Sequence, residues 1–145
     1  MAEKTKLNID LKTSTKEQQT ENICLLAIKD DPDQLRYAYY QTEKVCMAAV
    51  IKDPKQLLNI RTKVVEATKF WPVYEITDEV YKLVLGGDPL MLKYIPTNRQ
   101  TLDLCITAFS CANDSDFKDL YRCITNPKVL KLARRKFGDG ISTKL

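Results

Sequence analysis

The hexapeptide QTENIC at residues 19–24 returns as QTEKVC at residues 41–46 and as QTLDLC at residues 100–105. A weaker copy begins at Thr77, which lies 57 residues after Thr20, whereas the first two copies are 22 residues apart. Periods of roughly 20 to 50 residues are typical of arrays of helical repeats. We therefore interpret the chain as copies of one short structural unit.

Each copy begins with a threonine. An acid lies one or two residues after this threonine, and an apolar stripe follows. A threonine hydroxyl at this position can cap a helix, and the helix dipole favours an acid in the first turn. The apolar residues recur at i, i+1, i+4 and i+5, which is one face of a helix with about 3.6 residues per turn. They are Ile23, Cys24, Ala27 and Ile28; Val45, Cys46, Ala49 and Val50; Val80, Tyr81, Val84 and Leu85; and Leu104, Cys105, Ala108 and Phe109.

An Asp-Pro corner follows the stripe in three copies, at residues 31–32, 53–54 and 88–89. The residue before a proline is pushed out of the α region, while proline suits the first turn of a new helix with aspartate as its cap. Gly86-Gly87 before the third corner predicts a left-handed helix end. In the last copy the polar run at residues 113–116 replaces the corner, and helix capping is the role expected of it.

These patterns predict an all-α fold of about four stacked helix–corner–helix units, each of roughly 20 residues, with a basic helix after them. Three regions follow along the chain. They are an N-terminal arm at residues 1–18, a helical repeat domain at residues 19–125, and a basic C-terminal helix and tail at residues 126–145.

The composition fits an ordinary globular protein, because 44% of the 145 residues are hydrophobic. The chain has no run of about 18 apolar residues, and its charged start does not resemble a signal peptide. Five cysteines without CxxC spacing, in a chain without histidine, indicate buried thiols rather than zinc ligands. We expect a reducing compartment, no metal, no cofactor and no membrane partner.

The N-terminal arm contains one patterned segment, residues 7–11, in which apolar and polar residues alternate as in a strand. Its apolar side chains are candidates for a homodimer interface. A position over a groove of the same domain and a mobile tail are the alternatives. The candidate interface residues are Leu7, Ile9 and Leu11.

Residues 62–76 interrupt the repeats with an irregular joint that contains Phe70, Trp71 and Tyr74. An aromatic cluster can be a binding site, but at a break in a repeat it more often fills the core. We expect these residues to fill the core.

Asn126-Pro127 and Gly138 bracket a last helix whose non-apolar positions are basic. Residues 126–145 hold six basic side chains and one acidic one, so the rest of the +4 chain sums to −1. These cations either contact the phosphates of a nucleic acid or form a solvated face near the negative end of the helix dipole. The candidate nucleic-acid-binding residues are Lys128, Lys131, Arg134, Arg135 and Lys136.

Catalytic patterns are missing from the sequence. The chain has no histidine to act as a general base near neutral pH, and neither GxGxxG nor GxxxxGK[ST] is present. No residue points to an active site built from Lys, Tyr or Cys. We therefore expect no catalytic residue and a non-enzymatic function.

The repeated QTENIC, QTEKVC and QTLDLC openings resemble a domain of unknown function that is repeated in proteins of amoeba-infecting giant viruses, with units similar to "QTEEICLAAVKQNGLALQYV". The similarity covers residues 19–61 well and residues 77–112 loosely. Asp-Pro replaces Asn-Gly at the corner, and Tyr81 replaces Cys in the third unit.

The resemblance implies an all-α repeat module in a virus particle or viral factory, such as a virion protein of a marseillevirus-like virus, with no activity to transfer. Our leading expectation is a non-enzymatic structural or interaction protein that forms a homodimer. The alternative is a protein that binds nucleic acid non-specifically through its basic C-terminal helix.

Overall fold

All regular structure in the described residues is helical, which confirms the predicted all-α fold. The computed structural model describes residues 9–62 and 71–138. None of the helices in these two ranges is long and apolar enough to cross a bilayer. The α-helices are α1 (Glu21–Asp30), α2 (Glu43–Lys52), α3 (Asp78–Gly87), α4 (Leu102–Cys111), α5 (Phe117–Cys123) and α6 (Pro127–Phe137).

Threonine hydroxyls cap the first four of these helices, as the repeat predicts. Thr42 accepts a hydrogen bond from the N–H of Val45 at 3.4 Å, which satisfies one of the free donors at the start of α2. Thr20, Thr77 and Thr101 do the same for α1, α3 and α4 at 3.1, 3.4 and 3.2 Å. The cap and the position of each helix start were therefore predicted correctly.

Each Asp-Pro corner opens a 3-10 helix of six residues, and the turns of this helix are tighter than those of an α-helix. The aspartate is extended and its carboxylate accepts from the N–H two residues on, at 3.0, 3.1 and 3.2 Å. Proline follows as the first helical residue. We call these segments the corner helices: Pro32–Tyr37, Pro54–Asn59 and Pro89–Tyr94.

Two local predictions about helix ends are wrong. Gly86-Gly87 does not form a left-handed end, because Gly138 is the one described residue with positive φ. The extended Asp88, with φ −152, ends α3 instead. At the longer corner after α4, neither Asn113 nor Asp116 makes a side-chain cap, so the capping predicted for this run is also wrong.

The chain divides into two units, residues 1–80 and residues 81–145. In the first unit α1 packs on α2, and both pack on the first corner helix. In the second unit α4 and α5 pack on the third corner helix, and α6 packs on α4. The predicted stripe residues are buried in both units apart from Ile23, which is half-buried.

A buried glutamine precedes the capping threonine in three copies, and sequence reasoning assigned it no role. Gln41 is only 2% exposed. Its Nε2 donates to the carbonyls of Leu35 and Asn59 at 2.9 and 3.0 Å. Its Oε1 accepts from the N–H of Arg61 at 2.6 Å. The side chain thus joins the end of one corner helix to the end of the next, and it satisfies the Asn59 carbonyl and the Arg61 N–H, while the Leu35 carbonyl also accepts from the N–H of Ala38.

Gln19 makes the equivalent bonds one repeat earlier. Its Nε2 donates to the carbonyls of Leu11 and Tyr37 at 3.4 and 3.2 Å, and its Oε1 accepts from the N–H of Tyr39 at 2.7 Å. In the third copy this position is Ile76, which is buried and apolar.

Gln100 repeats the arrangement in the second unit. Its Nε2 donates to the carbonyls of Ile95 and Cys123 at 3.1 and 3.0 Å, with a longer contact to Leu92 at 3.5 Å. Its Oε1 accepts from the N–H of Thr125 at 2.8 Å. The same carboxamide therefore holds neighbouring chain segments together in both units.

Two threonine–glutamate side-chain pairs lie within the first unit. The Thr42 hydroxyl donates to the Glu21 carboxylate at 2.5 Å, and the Thr77 hydroxyl donates to the Glu43 carboxylate at 2.6 Å. The acid in the first turn of one helix therefore contacts the threonine that caps the following helix. It also faces the dipole of its own helix.

The described part of the N-terminal arm belongs to the first unit, which corrects the interface predicted there. Leu11 is 1% exposed, so it is not available as a surface contact for a second copy. Gln34 accepts from the N–H of Leu11 at 2.6 Å and donates to the carbonyl of Ile9 at 2.8 Å. Residues 9–14 form no strand, because Gln34 and Gln19 bond the backbone of Ile9 and Leu11, and residues 10–13 form a local turn. Leu7 lies outside the described residues.

This arm also resembles the segment that precedes the last copy. Leu11, the 3-10 helix Lys16–Gln18 and Gln19 match Leu92, the 3-10 helix Thr97–Arg99 and Gln100 at a constant offset of 81 residues. In both segments the leucine is buried and its carbonyl faces the glutamine Nε2. The arm therefore occupies the position that a corner helix holds elsewhere.

Replacing Leu11 by alanine should lower the free energy of unfolding by about 2 to 4 kcal/mol, because a fully buried leucine leaves a cavity. Urea denaturation measures the change. Leu26→Ala is the control, since Leu26 is 44% exposed and should lose less than about 1 kcal/mol. A Leu11→Ala variant with unchanged stability but altered oligomer mass would restore the interface prediction.

Candidate nucleic-acid interface

The last helix, α6, is fixed at both ends by local hydrogen bonds. The Asn126 carboxamide accepts from the N–H groups of Lys128 and Val129 at 3.1 and 3.3 Å, and Pro127 is the first helical residue. At the other end Gly138 has φ 68, and its N–H donates to the carbonyl of Arg134 at 2.8 Å. The cap, the proline and the terminal glycine were all predicted from the sequence.

The inward side of α6 packs against aromatic rings of the second unit. Phe137 stacks on Phe109 with ring centroids 4.5 Å apart, and Ala133 is fully buried. The Tyr121 hydroxyl donates to the backbone carbonyls of Ala133 and Gly138. These contacts set which side of the helix faces solvent.

All five predicted cations of α6 point outward, and the structure therefore brings them together on one exposed face. Among the described residues, none of them forms an ion pair, and the helix carries no acid. Arg134 lies over the Tyr121 ring at 5.4 Å, a cation–π contact that holds its stem without neutralising it. We call these five side chains the basic face: Lys128, Lys131, Arg134, Arg135 and Lys136.

One apolar residue of this surface was missed from the sequence. Leu132 is 41% exposed and lies between Lys128 and Lys136 around the helix. A helical-wheel plot would have shown it, because it falls outside the stripe that packs on the core. The exposed surface of α6 is thus basic with a single leucine inside it.

The aromatic joint is a second candidate surface, but its groups satisfy one another. Trp71 and Tyr74 are half-buried, and Phe70 lies outside the described residues. The Arg61 guanidinium lies over the Trp71 ring at 4.9 Å and donates to the carbonyl of Tyr39 at 2.8 Å. Burial lowers the pKa of Arg61. This arginine acts as a structural contact between chain segments rather than as a free binding group.

Four of the five cysteines are buried in the described structure. Burial raises the pKa of Cys46 to about 12 and that of Cys105 to about 11, so both remain thiols at neutral pH. Cys111 is exposed. Within residues 9–62 and 71–138, no group of three or more potential ligands is placed to hold a metal ion.

No protein-family model matches this chain, and no curated protein and no solved structure is similar to it. The resemblance of residues 19–61 to the giant-virus repeats therefore stays a prediction.

Proposed function

We propose that this protein is a non-enzymatic interaction protein and that nucleic acid is the partner of its basic face. The observation that carries the proposal is the exposure of five cations on one helix without an acid or an ion pair among the described residues. Such a face attracts phosphates and gives sequence-independent binding.

The alternative, a solvated cap at the end of a repeat array, explains this face less well. The helix dipole favours cations in the last turn, but Lys128 lies in the first turn, where it disfavours them. Lys131 also has Arg134 and Arg135 as neighbours at i+3 and i+4. Each like-charged pair costs roughly 0.2 to 0.5 kcal/mol. The end of a repeat array needs only a polar surface. A mixture of acidic and basic side chains would provide a polar surface without the repulsion between like charges.

The test is a titration of a short fluorescent DNA duplex at several salt concentrations, followed by anisotropy. Each phosphate contact contributes a slope of about −0.9 to log K against log salt, so a slope of about −4 is expected. Absence of binding at low salt would remove the proposal.

We also propose a place in a virus particle or viral factory, where nucleic acid is abundant. The repeated QTE and QTL openings support this through their resemblance to the giant-virus repeats. Self-association into a homodimer stays a prediction, and its surface is not Leu11.

A further inference from the structure

We infer that α6 binds double-stranded DNA by lying in its major groove, which rests on the nucleic-acid function proposed above. The inference concerns the form of nucleic acid and the groove. It depends on how the cations are distributed around the helix, on the dimensions of α6 and on the single exposed leucine.

The cations of the basic face cover a wide arc. At about 100° per residue, the arc from Arg134 through Lys131, Arg135 and Lys128 to Lys136 spans about 200° of the helix circumference. A helix that lies on a flat array of phosphates contacts them through one side only. In a groove, phosphates lie on both sides of the helix, so Arg134 can contact one DNA strand while Lys136 contacts the other.

The dimensions of α6 match the major groove of B-form DNA. A helix with side chains is about 10 to 12 Å across, and this groove is about 12 Å wide. The minor groove is only about 6 Å wide and cannot admit a helix. The major groove of an RNA duplex is too deep and narrow for side chains to read. The eleven residues of α6 extend for about 16 Å along such a groove.

Leu132 lies inside the arc, between Lys128 and Lys136 and about 60° from the centre of the arc at Arg135, and is 41% exposed. With Arg135 directed at the floor of the major groove, Leu132 would face base edges nearer one strand, where the thymine methyl group is an apolar contact. Single strands are bound by exposed aromatic rings on which bases stack. The one ring of α6, Phe137, is half-buried and stacked on Phe109, so the outward face offers no stacking surface.

Asp139 follows α6 in sequence and lies outside the described residues, and the closest described acids lie before and within α5. Asp119 pairs with Arg122 at 3.3 Å, and Asp114 and Asp116 lie in the 3-10 helix that precedes α5. Lys118 and Arg122 offset two of these three carboxylates, which leaves a net charge of −1 that does not attract phosphates, so we expect α6 alone to enter the groove and α5 to remain outside it.

The experiment uses the full chain and four labelled ligands of equal length: a DNA duplex, an RNA duplex, and single-stranded DNA and RNA. The DNA duplex should bind at least about tenfold more tightly than the others. Methyl green, a cationic major-groove ligand, should displace the protein, whereas netropsin, a cationic minor-groove ligand, should not. Equal affinity for the four ligands, or displacement by netropsin alone, would overturn the groove assignment and leave the proposed function intact. No binding to any ligand would overturn both.

Leu132→Asp tests the position of the leucine. It should weaken duplex binding at least about tenfold more than Leu26→Asp, which introduces the same charge at an exposed leucine of α1. Circular dichroism checks that both variants are folded. Equal effects of the two variants would place Leu132 outside the contact surface and contradict the inference.

Discussion

Replacing Gln41 by leucine is expected to lower the free energy of unfolding by at least about 2 kcal/mol. The substitution keeps the volume but leaves the carbonyl of Asn59 and the N–H of Arg61 without a partner, whereas the Leu35 carbonyl keeps its bond from the N–H of Ala38. Each buried unpaired group costs about 1 to 3 kcal/mol. Since the free energy of unfolding of a small domain is only about 5 to 15 kcal/mol, this one substitution removes a large share of that free energy. Urea denaturation followed by circular dichroism measures it.

Gln41→Glu separates the hydrogen-bond role from simple packing. An ionised glutamate would face two carbonyl oxygens, so its pKa should rise above the usual value of about 4.3. Its protonated form can still donate one bond. The deficit in unfolding free energy relative to the wild type should therefore be smallest at acidic pH and grow as pH rises through the raised pKa.

Gln18→Leu is the matched control, because Gln18 is exposed and takes part only in a local capping box. It should cost no more than about 1 kcal/mol. Equal losses for Gln18→Leu and Gln41→Leu, or a pH-independent deficit for Gln41→Glu, would contradict the anchoring role of the buried glutamine.

Reversing two charges of the basic face, Lys131→Glu with Arg135→Glu, is expected to weaken binding to the DNA duplex at least about 100-fold at low salt. The change removes two phosphate contacts and adds two repulsive charges at the centre of the face. The magnitude of the salt slope should also fall by about two, from about −4 to about −2. Fluorescence anisotropy at several salt concentrations gives both quantities.

Lys44→Glu with Lys55→Glu changes the net charge by the same amount on exposed side chains of the first unit. This control should keep most of the affinity at about 0.1 M salt, where charges more than about 10 Å apart are largely screened, so the two double variants are compared at that salt concentration. If both double variants lose affinity equally, binding follows net charge rather than α6.

The local helix boundaries could be predicted from sequence because each depends on a few neighbouring residues. Thr42 caps α2 and Asp53 caps the following corner helix through bonds that span only two or three residues. The inward stripe follows equally from the helical period, as the buried Val45 and Val50 show. The tighter 3-10 geometry of the corners was not predicted, because hydrophobic spacing over six residues barely separates it from an α-helix.

The buried glutamines could not be assigned from composition, since glutamine is usually exposed. Gln41 pairs with backbone groups that lie up to 20 residues away, and no local pattern reveals them. The available signal was the recurrence of glutamine before the capping threonine. The arm was missed for a similar reason, because the match between Leu11 and Leu92 extends beyond the region in which the repeats were aligned.

The candidate interface was predictable in part. The basic residues and the apolar side of α6 followed from helical spacing, and the structure places them on opposite sides. The tertiary packing that orients the basic residues and the apolar side of α6 could not be predicted from the sequence. The stacking of Phe137 on Phe109 and the Tyr121 hydroxyl bonds determine that Leu132 and the five cations face outward together.

The bonds of the buried glutamines mark a place where the polypeptide can be lengthened. Gln19 and Gln41 each reach an N–H that lies 20 residues on, but Gln100 reaches one that lies 25 residues on. Extra length is thus accommodated after α4, and lengthening a flexible loop costs only about 0.6 kcal/mol per doubling. Foreign peptides, such as an epitope or a tag, can be grafted at residues 112–116 while both ends of the anchor stay in register.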